Sequence, residues 1–221
     1  MHPTVRESVE VLRDGLVRSG PAPAVFRAML DEVPVRDRDA WVDLLWGIDE
    51  LPDDDPSLPR GCVPYLPCEV STVLEAVERA EVTADDVFVD VGSGLGRTAG
   101  LVQLLTGAGC IGLEIQPRLV HAARGRAAWL NLSRCCFVEG DAAELVRHIT
   151  IGTVFFFYCP FGRDRLERVL VDLEELARVR PIRVCCVGMP ALDREWLVPV
   201  EPTSVDLVVY RSLPCAPTAA D

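Results

Sequence analysis

The stretch Val87-Phe88-Val89-Asp90-Val91-Gly92-Ser93-Gly94-Leu95-Gly96-Arg97-Thr98 decides the fold. An apolar run of β-branched and aromatic residues stops at three alternating glycines, and a helix-compatible segment follows from Thr98 to Leu105. This order predicts a buried strand, a tight turn and the amino end of a helix. Glycine has no Cβ and therefore lets the backbone come close to a ligand. The turn is predicted to hold a ligand, the alternative being a glycine-rich turn that binds nothing.

Strand-like and helix-like segments alternate beyond Ala80. The predicted strands are 87–91, 110–114, 135–138, 153–158 and 182–187, and the predicted helices are 97–106, 117–130, 142–149 and 164–178. Strands that are apolar on both faces and separated by helices indicate a parallel sheet covered on both sides. Residues 196–200 and 205–211, joined by a short polar turn, predict an antiparallel hairpin. The predicted fold is α/β: a three-layer, doubly wound sheet of five parallel strands plus a C-terminal antiparallel hairpin, seven strands in all, with an N-terminal helical segment.

The chain divides into four predicted parts. Residues 1–50 carry apolar side chains at helical spacing, among them Val9, Leu12 and Leu16, which favours packing on a core, with a lid as the alternative. Residues 51–68 are rich in proline and acidic side chains and predict an extended connection. Residues 69–213 are predicted to form the ligand-binding domain, and 214–221 a tail.

Composition limits the possible functions. The chain has 221 residues and 49% hydrophobic content, which suits one well-buried domain with an appended segment. Its net charge of −12 makes a nucleic acid an unlikely partner, because phosphate backbones bind to basic surfaces. All 22 basic residues are arginine, which excludes a Schiff-base lysine and the lysine of a phosphate-binding loop.

The nine cysteines include no CxxC pair, so we expect no metal site. The chain turns charged directly after its first residues, so we expect no signal peptide and a cytoplasmic protein with reduced, structural thiols. The longest apolar run, Val154 to Cys159, is far shorter than the ~20 residues that cross a bilayer. No membrane span is expected, and the sequence leaves the oligomeric state open.

Acidic residues follow the predicted strands. Ligands of an open parallel sheet bind at the carboxyl ends of the strands, where the strand order reverses. Glu114 stands 22 residues after Gly92, where a carboxylate typically accepts from a ribose diol. Asp141 follows the third strand, where a carboxylate can accept from an exocyclic amine such as that of adenine. The fourth strand ends in Tyr158-Cys159-Pro160-Phe161.

The glycine spacing separates two classes of ligand. A dinucleotide fingerprint, GxGxxG, requires glycine at position 97, where this chain has Arg97. The pattern here is GxGxG, preceded by Asp90. With the terminal hairpin, residues 65–211 resemble the seven-strand (class I) S-adenosylmethionine-dependent methyltransferases. The alternatives are a non-catalytic binding protein with this fold and an NAD(P)-dependent oxidoreductase, which Arg97 and the hairpin disfavour.

A weaker resemblance links Tyr65, Glu69 and the glycine turn to the non-SET histone lysine methyltransferases. In that family a tyrosine, a glycine and a glutamate follow one another, whereas this chain has Tyr65-Leu66-Pro67-Cys68-Glu69. This difference means that the resemblance does not predict histone as the substrate.

The class I resemblance implies S-adenosyl-L-methionine as cofactor and S-adenosyl-L-homocysteine as product. It places the glycine turn under the methionine, Asp90 near the amino group or fixing the loop, Glu114 at the ribose and Asp141 with Ala142 at the adenine. Tyr65, an aromatic residue before the first helix of the domain, is predicted to stack on a planar group, the alternative being a surface anchor. The predicted cofactor-binding residues are Asp90, Gly92, Ser93, Gly94, Gly96, Glu114, Asp141, Ala142 and Tyr65. The predicted substrate-facing residues are Tyr158, Cys159, Pro160 and Phe161.

The expected chemistry is methyl transfer to a small molecule or a protein side chain. This in-line displacement depends on holding donor and acceptor in near-attack geometry, so a strong base is optional. Tyr158 is the candidate catalytic residue, and His148 is kept as a possible base although a helix-surface imidazole is the alternative. Tyr158 stands where enzymes that methylate amides or nucleobases often carry Asn or Asp before Pro-Pro-Tyr or Pro-Pro-Phe. That departure disfavours such acceptors and leaves O-, S-, C- or other N-methylation open.

Overall fold

The computed structural model describes residues 3–56, 58–203 and 206–213, with side chains from residue 6 onward. The helices among them are α1 (Pro3–Ser19), α2 (Pro23–Glu32), α3 (Arg38–Trp46), α4 (Val70–Arg79), α5 (Arg97–Thr106), α6 (Pro117–Trp129), α7 (Ala142–Leu145) and α8 (Arg163–Val179). The strands are β1 (Val87–Val91), β2 (Gly109–Glu114), β3 (Cys135–Glu139), β4 (Val154–Tyr158), β5 (Arg183–Val187), β6 (Leu197–Pro199) and β7 (Leu207–Ser212). The predicted tail 214–221 and position 205 of the predicted hairpin lie outside the described residues.

The strands form one sheet in the order β3-β2-β1-β4-β5-β7-β6. The pairs among β1 to β5 are parallel, and β7 pairs antiparallel with both β5 and β6. From β1 the chain moves outward through β2 and β3, then returns to β4 and moves the other way. The strand order therefore reverses between β1 and β4, which places the ligand crevice at their carboxyl ends. The predicted sheet and its terminal hairpin are confirmed.

Helices cover both faces of the sheet. The side chains of α1 to α6 share a core with Phe88 and Phe156, whereas α7 and α8 share a core with Phe155 and Phe157 on the opposite face. Successive strand residues point to opposite faces, which explains the split within one run of phenylalanines. All four rings are at most 1% exposed, as expected for strands of a sheet that is covered on both sides.

The three N-terminal helices pack into the same core as the sheet. Val9, Leu12 and Leu16 of α1 are buried, as is Trp46 at the end of α3. The Trp46 indole N–H donates to the Leu95 carbonyl in the glycine turn at 2.8 Å. The described part of the segment 1–50 thus packs against the glycine turn of the predicted site, while the role of this segment as a lid stays untested.

Two local details follow from residue chemistry. Gly47 ends α3 in the left-handed conformation (φ 71°), as its sequence position predicts. The predicted helix 142–149 is shorter: α7 ends at Leu145 and continues only as a 3₁₀ turn, Val146–His148. The β-branched Val146, Ile149 and Thr150 that follow have low helix propensity. None of the described helices is long and apolar enough to cross a membrane.

Candidate cofactor and acceptor site

A pocket of about 300 Å³, here the central pocket, opens at the carboxyl ends of the parallel strands. The structure brings many of the predicted site residues to its wall: Tyr65, Gly92, Glu114, Asp141, Ala142, Tyr158, Cys159, Pro160 and Phe161. The predicted residues Asp90, Ser93, Gly94 and Gly96 lie behind this lining. Their direct contact with a cofactor stays a prediction.

Glu114 is tied to the glycine turn. Its side chain accepts the Gly94 N–H at one carboxylate oxygen and the Gln116 N–H at the other, both at 2.8 Å. Burial raises the pKa of Glu114, and the N–H groups of Gln116 and Gly94 oppose that rise. Each carboxylate oxygen has a second acceptor site. The residue can therefore hold the turn and still accept from a ligand hydroxyl.

The three glycines of the turn each meet a close neighbour. A Cβ on Gly92 (φ 83°) would stand 2.8 Å from Pro160, which also lines the central pocket. A Cβ on Gly94 (φ 51°) would stand 2.2 Å from the Tyr65 ring, and one on Gly96 would stand 2.4 Å from another aromatic ring, that of Phe137. The Tyr65 ring therefore packs on the backbone of Gly94. Stacking of this ring on a planar group of a ligand stays a prediction.

Behind the turn lies a small polar cavity of about 20 Å³, lined by Tyr65, Asp90, Ser93 and Arg97 among others. Among the described residues, Asp90 Oδ2, Ser93 Oγ and the Tyr65 hydroxyl are buried and have no hydrogen-bond partner. Burial, together with the nearby Glu114 charge, raises the pKa of Asp90 to about 7, against a hydrogen bond from the Ala99 N–H. Unpaired buried polar atoms are uncommon in native proteins, so three together mark a place for a polar ligand group or a water.

Asp141 shapes the far end of the central pocket. Its Oδ1 accepts the Ala143 N–H at 3.0 Å and caps α7, and its Oδ2 forms an ion pair with Arg165 of α8. The cap places Ala142, which is 8% exposed, at the pocket wall. Asp141 is thus held at the predicted adenine position from two sides.

The end of β4 forms the opposite wall. Cys159 has a left-handed backbone (φ 42°), and its thiol donates to the Gly188 carbonyl at 2.6 Å. Burial raises the pKa of Tyr158 above its ordinary value, so its phenol keeps its proton at neutral pH. Tyr158 can donate a hydrogen bond but is a poor base. His148 is exposed on its 3₁₀ turn and does not line the central pocket, which agrees with the alternative of a surface imidazole.

The predicted extended connection crosses the mouth of the central pocket. Cys62 forms an isolated antiparallel bridge with Phe161, and the Gly162 N–H donates to the Gly61 carbonyl at 2.7 Å. We call residues 58–66 the strap. A sequence pattern of prolines and acids predicts an extended segment, but it does not show what that segment covers.

Asp54 and Gln116 fasten the strap at its other side. Asp54 Oδ1 accepts the Tyr65 N–H at 2.9 Å and Gln116 Nε2 at 2.8 Å, and Gln116 Oε1 accepts the Asp55 N–H at 2.7 Å. Gln116 is 4% exposed and stands two residues after Glu114. Sequence reasoning missed both side chains, for which the acidic run 53–55 was the available signal.

Arg97 is the other residue that sequence reasoning missed. It is 2% exposed and donates to Asp43 at 2.6 Å, to Asp39 at 2.9 Å and to the Cys68 carbonyl at 2.6 Å. The residue that breaks the dinucleotide pattern thus connects α5 to α3 and to the entrance of α4. Two aspartates four positions apart on α3, facing an arginine in an apolar helix, were the signal.

Comparison with known proteins places this geometry in a known fold. An RNA methyltransferase from Salinibacter ruber, solved with S-adenosyl-L-homocysteine, is similar over 70% of this chain and 98% of its own, with 26% identity and a TM-score of 0.53. The chain has the class I methyltransferase fold. A dimethyladenosine transferase from Plasmodium falciparum (14% identity, 68% of this chain and 64% of its own, TM-score 0.51) shares the fold. A precorrin-6Y C5,15-methyltransferase from Geobacter metallireducens shares it as well (14% identity, 73% of this chain and 96% of its own, TM-score 0.50).

No protein-family model and no curated protein matches the chain. The class I methyltransferase fold is therefore recognised through its structure and through the glycine turn. The weaker resemblance to the non-SET histone lysine methyltransferases receives no support from these comparisons and stays a prediction.

Proposed function

We propose that this chain is an S-adenosylmethionine-dependent methyltransferase and that its central pocket binds the cofactor. The observation that carries the proposal is the meeting of Gly92, Glu114 and Asp141 at the ends of three neighbouring strands around one pocket. The small polar cavity adds a second support, because its unpaired Asp90 and Ser93 oxygens suit the ammonium group of a methionine. The Salinibacter ruber neighbour, which was solved with S-adenosyl-L-homocysteine, supports the same ligand.

The proposed roles follow the order of the strands. Glu114 accepts from the ribose hydroxyls, and Asp141 with Ala142 borders the adenine. The turn from Gly92 to Gly96 lies under the methionine. Since the turn is already held by Glu114, little of it has to reorganise when a ligand binds, which lowers the entropic cost of binding.

When bound, the cofactor supplies an electrophilic methyl group on a sulfonium. The chain positions the acceptor against it and excludes water, because the strap and the β4 end enclose the pocket. Tyr158, protonated at neutral pH, orients the acceptor as a hydrogen-bond donor and leaves proton removal to solvent. The acceptor is a small molecule or a protein side chain, and a net charge of −12 disfavours RNA, the substrate named for the Salinibacter neighbour.

A thermal-shift assay tests the cofactor. S-Adenosylhomocysteine at about 100 times Kd is expected to stabilise the fold by ~2.7 kcal/mol, or roughly 5 to 10 °C in melting temperature. NAD is expected to give no shift. A shift with NAD alone would favour the oxidoreductase alternative, and methyl transfer to a metabolite or protein pool separates an enzyme from a non-catalytic binding protein.

Glu114→Ala tests the ribose contact. Loss of a charged hydrogen bond costs about 1.5 to 3 kcal/mol, so the affinity for S-adenosylhomocysteine is expected to fall ~10- to 150-fold by calorimetry. Glu139→Ala is the matched control, because Glu139 is an exposed glutamate at the end of the neighbouring strand β3. Equal affinities in both variants would contradict the role of Glu114.

A further inference from the structure

A second cavity, here the side cavity, lies beside the central pocket between the first turns of α8 and residues 188–194. Its volume is about 410 Å³, and small-molecule sites typically measure about 300 to 1,000 Å³. Cys159 and Phe161 line both spaces. A molecule in the side cavity can therefore contact two residues that also border the central pocket.

The two spaces meet at Cys159 and Phe161. Cys159 has a left-handed backbone that turns the chain at the end of β4, and its thiol donates to the Gly188 carbonyl. Gly188 also lines the central pocket and has a positive φ of 60°. A Cβ on Gly188 would stand 3.5 Å from the Cys159 sulfur, which is an ordinary contact distance, so the positive φ and not the space favours glycine at this position.

One part of the side cavity is apolar, and four charged side chains line the rest. Its apolar lining includes Phe161, Leu166, Leu170, Met189, Pro190 and Leu192. The contact of apolar surface with a ligand is then the main source of affinity. Met side chains adapt their shape to a ligand, so Met189 suits a bound group of irregular outline.

The charges around the side cavity balance. Arg194 of the loop forms an ion pair with Glu167 of α8 across the cavity, and Arg163 and Asp193 carry one charge of each sign. The lining therefore has no net charge with which to select an ionic substrate. A phosphate backbone in particular requires a basic surface, which this cavity does not offer.

We propose, on the basis of the proposed function, that the side cavity binds the methyl acceptor and that the acceptor is an uncharged, largely apolar small molecule. A heteroatom of the acceptor reaches the central pocket past Cys159 and donates a lone pair to the methyl carbon. The bond from that carbon to sulfur breaks and leaves its electron pair on the sulfur, which becomes a neutral thioether. The acceptor releases its proton to water, so charge and atoms balance.

The test uses N-phenyl-1-naphthylamine, an uncharged apolar probe whose fluorescence rises on binding. The full chain, saturated with S-adenosylhomocysteine, is titrated with the probe as wild type, Leu166→Glu, Met189→Glu and Val171→Glu. Leu166 and Met189 stand on opposite walls of the side cavity, whereas Val171 is an exposed residue of α8 outside it. A charge in an apolar site opposes apolar binding, so we expect at least ~10-fold weaker probe binding in the two cavity variants.

The wild type and Val171→Glu are expected to bind the probe equally and saturably, and all four chains are expected to bind S-adenosylhomocysteine equally. Equal probe binding by all four chains, or no saturable binding by the wild type, would overturn the proposal. A chain that binds the probe but not S-adenosylhomocysteine would retain the side cavity as a ligand site and reject the proposed cofactor.

A second measurement identifies the class of acceptor. Tritiated S-adenosylmethionine is incubated with the chain and a cell extract, which is then divided into solvent-extractable small molecules, RNA and protein. Label in the small-molecule fraction that is lost with Leu166→Glu and kept with Val171→Glu supports the proposal. Label in RNA or protein, label that survives Leu166→Glu, or label in no fraction contradicts it.

Discussion

The glycine turn and the loop that follows β5 are held in different ways. Around the glycine turn, Arg97, Glu114 and Trp46 are all at most 7% exposed, and each hydrogen-bonds a different element. After β5, residues 188–194 have no regular secondary structure and several exposed side chains; Gly188 lines the central pocket, and residues 189–194 line the side cavity. Two hydrogen bonds connect them to other elements, among others. The Leu192 N–H donates to the Tyr210 hydroxyl at 2.8 Å, and the Gly188 carbonyl accepts from the Cys159 thiol.

This difference agrees with the proposed ligands, the cofactor at the glycine turn and the acceptor at the loop. A cofactor that is the same in every enzyme of a fold binds more tightly to a rigid, preorganised surface, because the protein loses less conformational freedom on binding. An acceptor that differs between enzymes of one fold is recognised by loops, which tolerate substitution while the scaffold holds its shape. The rigid side should therefore respond to mutation mainly in stability, and the loop side mainly in ligand choice.

The largest effect is expected from Arg97→Met. Removal of this guanidinium takes the arginine donor from Asp39, Asp43 and the Cys68 carbonyl, and the loss of one partner of a buried charge network costs about 3 kcal/mol or more in the free energy of unfolding. The partial exposure of the two aspartates places the expected loss near 3 kcal/mol. Urea denaturation measures it.

Arg211→Met is the control for that variant. Arg211 pairs with Glu81 on the surface, where both side chains are more than half exposed, and surface pairs contribute about 0 to 1 kcal/mol. Equal losses in the two variants would show that the network around Arg97 does not hold the rigid side.

Gly100→Ala is expected to have the next largest effect. Alanine is the better helix former, yet a Cβ on Gly100 would stand 1.9 Å from the Trp46 ring that covers α5. Overpacking of this kind costs about 1 to 3 kcal/mol. Gly125→Ala in α6 is the matched control, because nothing lies within 4 Å of its Cβ position, and it is expected to gain up to about 1 kcal/mol. A gain in both variants by thermal unfolding would contradict the role assigned to Trp46.

The affinity for S-adenosylhomocysteine is expected to depend on pH through Asp90. Burial raises the pKa of Asp90 to about 7, and a bound ammonium group favours the charged carboxylate. Binding is therefore expected to tighten about 10-fold from pH 6 to pH 8. Asp90→Asn removes the titrating group, so calorimetry should find a flatter profile in this variant. An unchanged slope would place the titration elsewhere.

The stability of the ligand-free protein is expected to run in the opposite direction. Because the folded state keeps the Asp90 proton to a higher pH than the unfolded chain does, the stability linked to Asp90 is complete below about pH 4 and is lost as the pH rises through about 7. Comparison of wild type and Asp90→Asn by urea denaturation at pH 5 and pH 8 measures this term. The free energy of unfolding of the wild type is expected to fall, relative to that of Asp90→Asn, between pH 5 and pH 8. The same difference at both pH values would contradict the raised pKa.

The smallest effect is expected from Asp54→Ala, which loosens the strap that joins the two sides. It removes the acceptor of the Tyr65 N–H and of the Gln116 amide, and one net hydrogen bond is worth about 1 kcal/mol. We expect S-adenosylhomocysteine to dissociate about 5-fold faster in stopped-flow experiments. Asp53→Ala, at the exposed neighbouring position, is expected to leave the rate unchanged. The same rate in both variants would show that the strap does not retain the ligand.

The sequence by itself determined the order of strands and helices, the glycine turn and the carboxylates at the strand ends. These features are local: an apolar strand, a turn at Gly92 and a helix are each encoded within about a dozen neighbouring residues. The place of Glu114 in the fold could be predicted as well, because a residue at the carboxyl end of a parallel strand lies at the edge of the sheet where ligands bind.

Only the tertiary structure decided what surrounds that edge. Arg97 pairs with residues 54 and 58 positions away, Trp46 reaches a carbonyl 49 positions away, and the strap closes a pocket with Phe161, about a hundred residues further on. Such partners follow no periodic pattern, because they meet only after the chain has folded. The side cavity is the clearest case, since it exists only between α8 and a loop that follows β5.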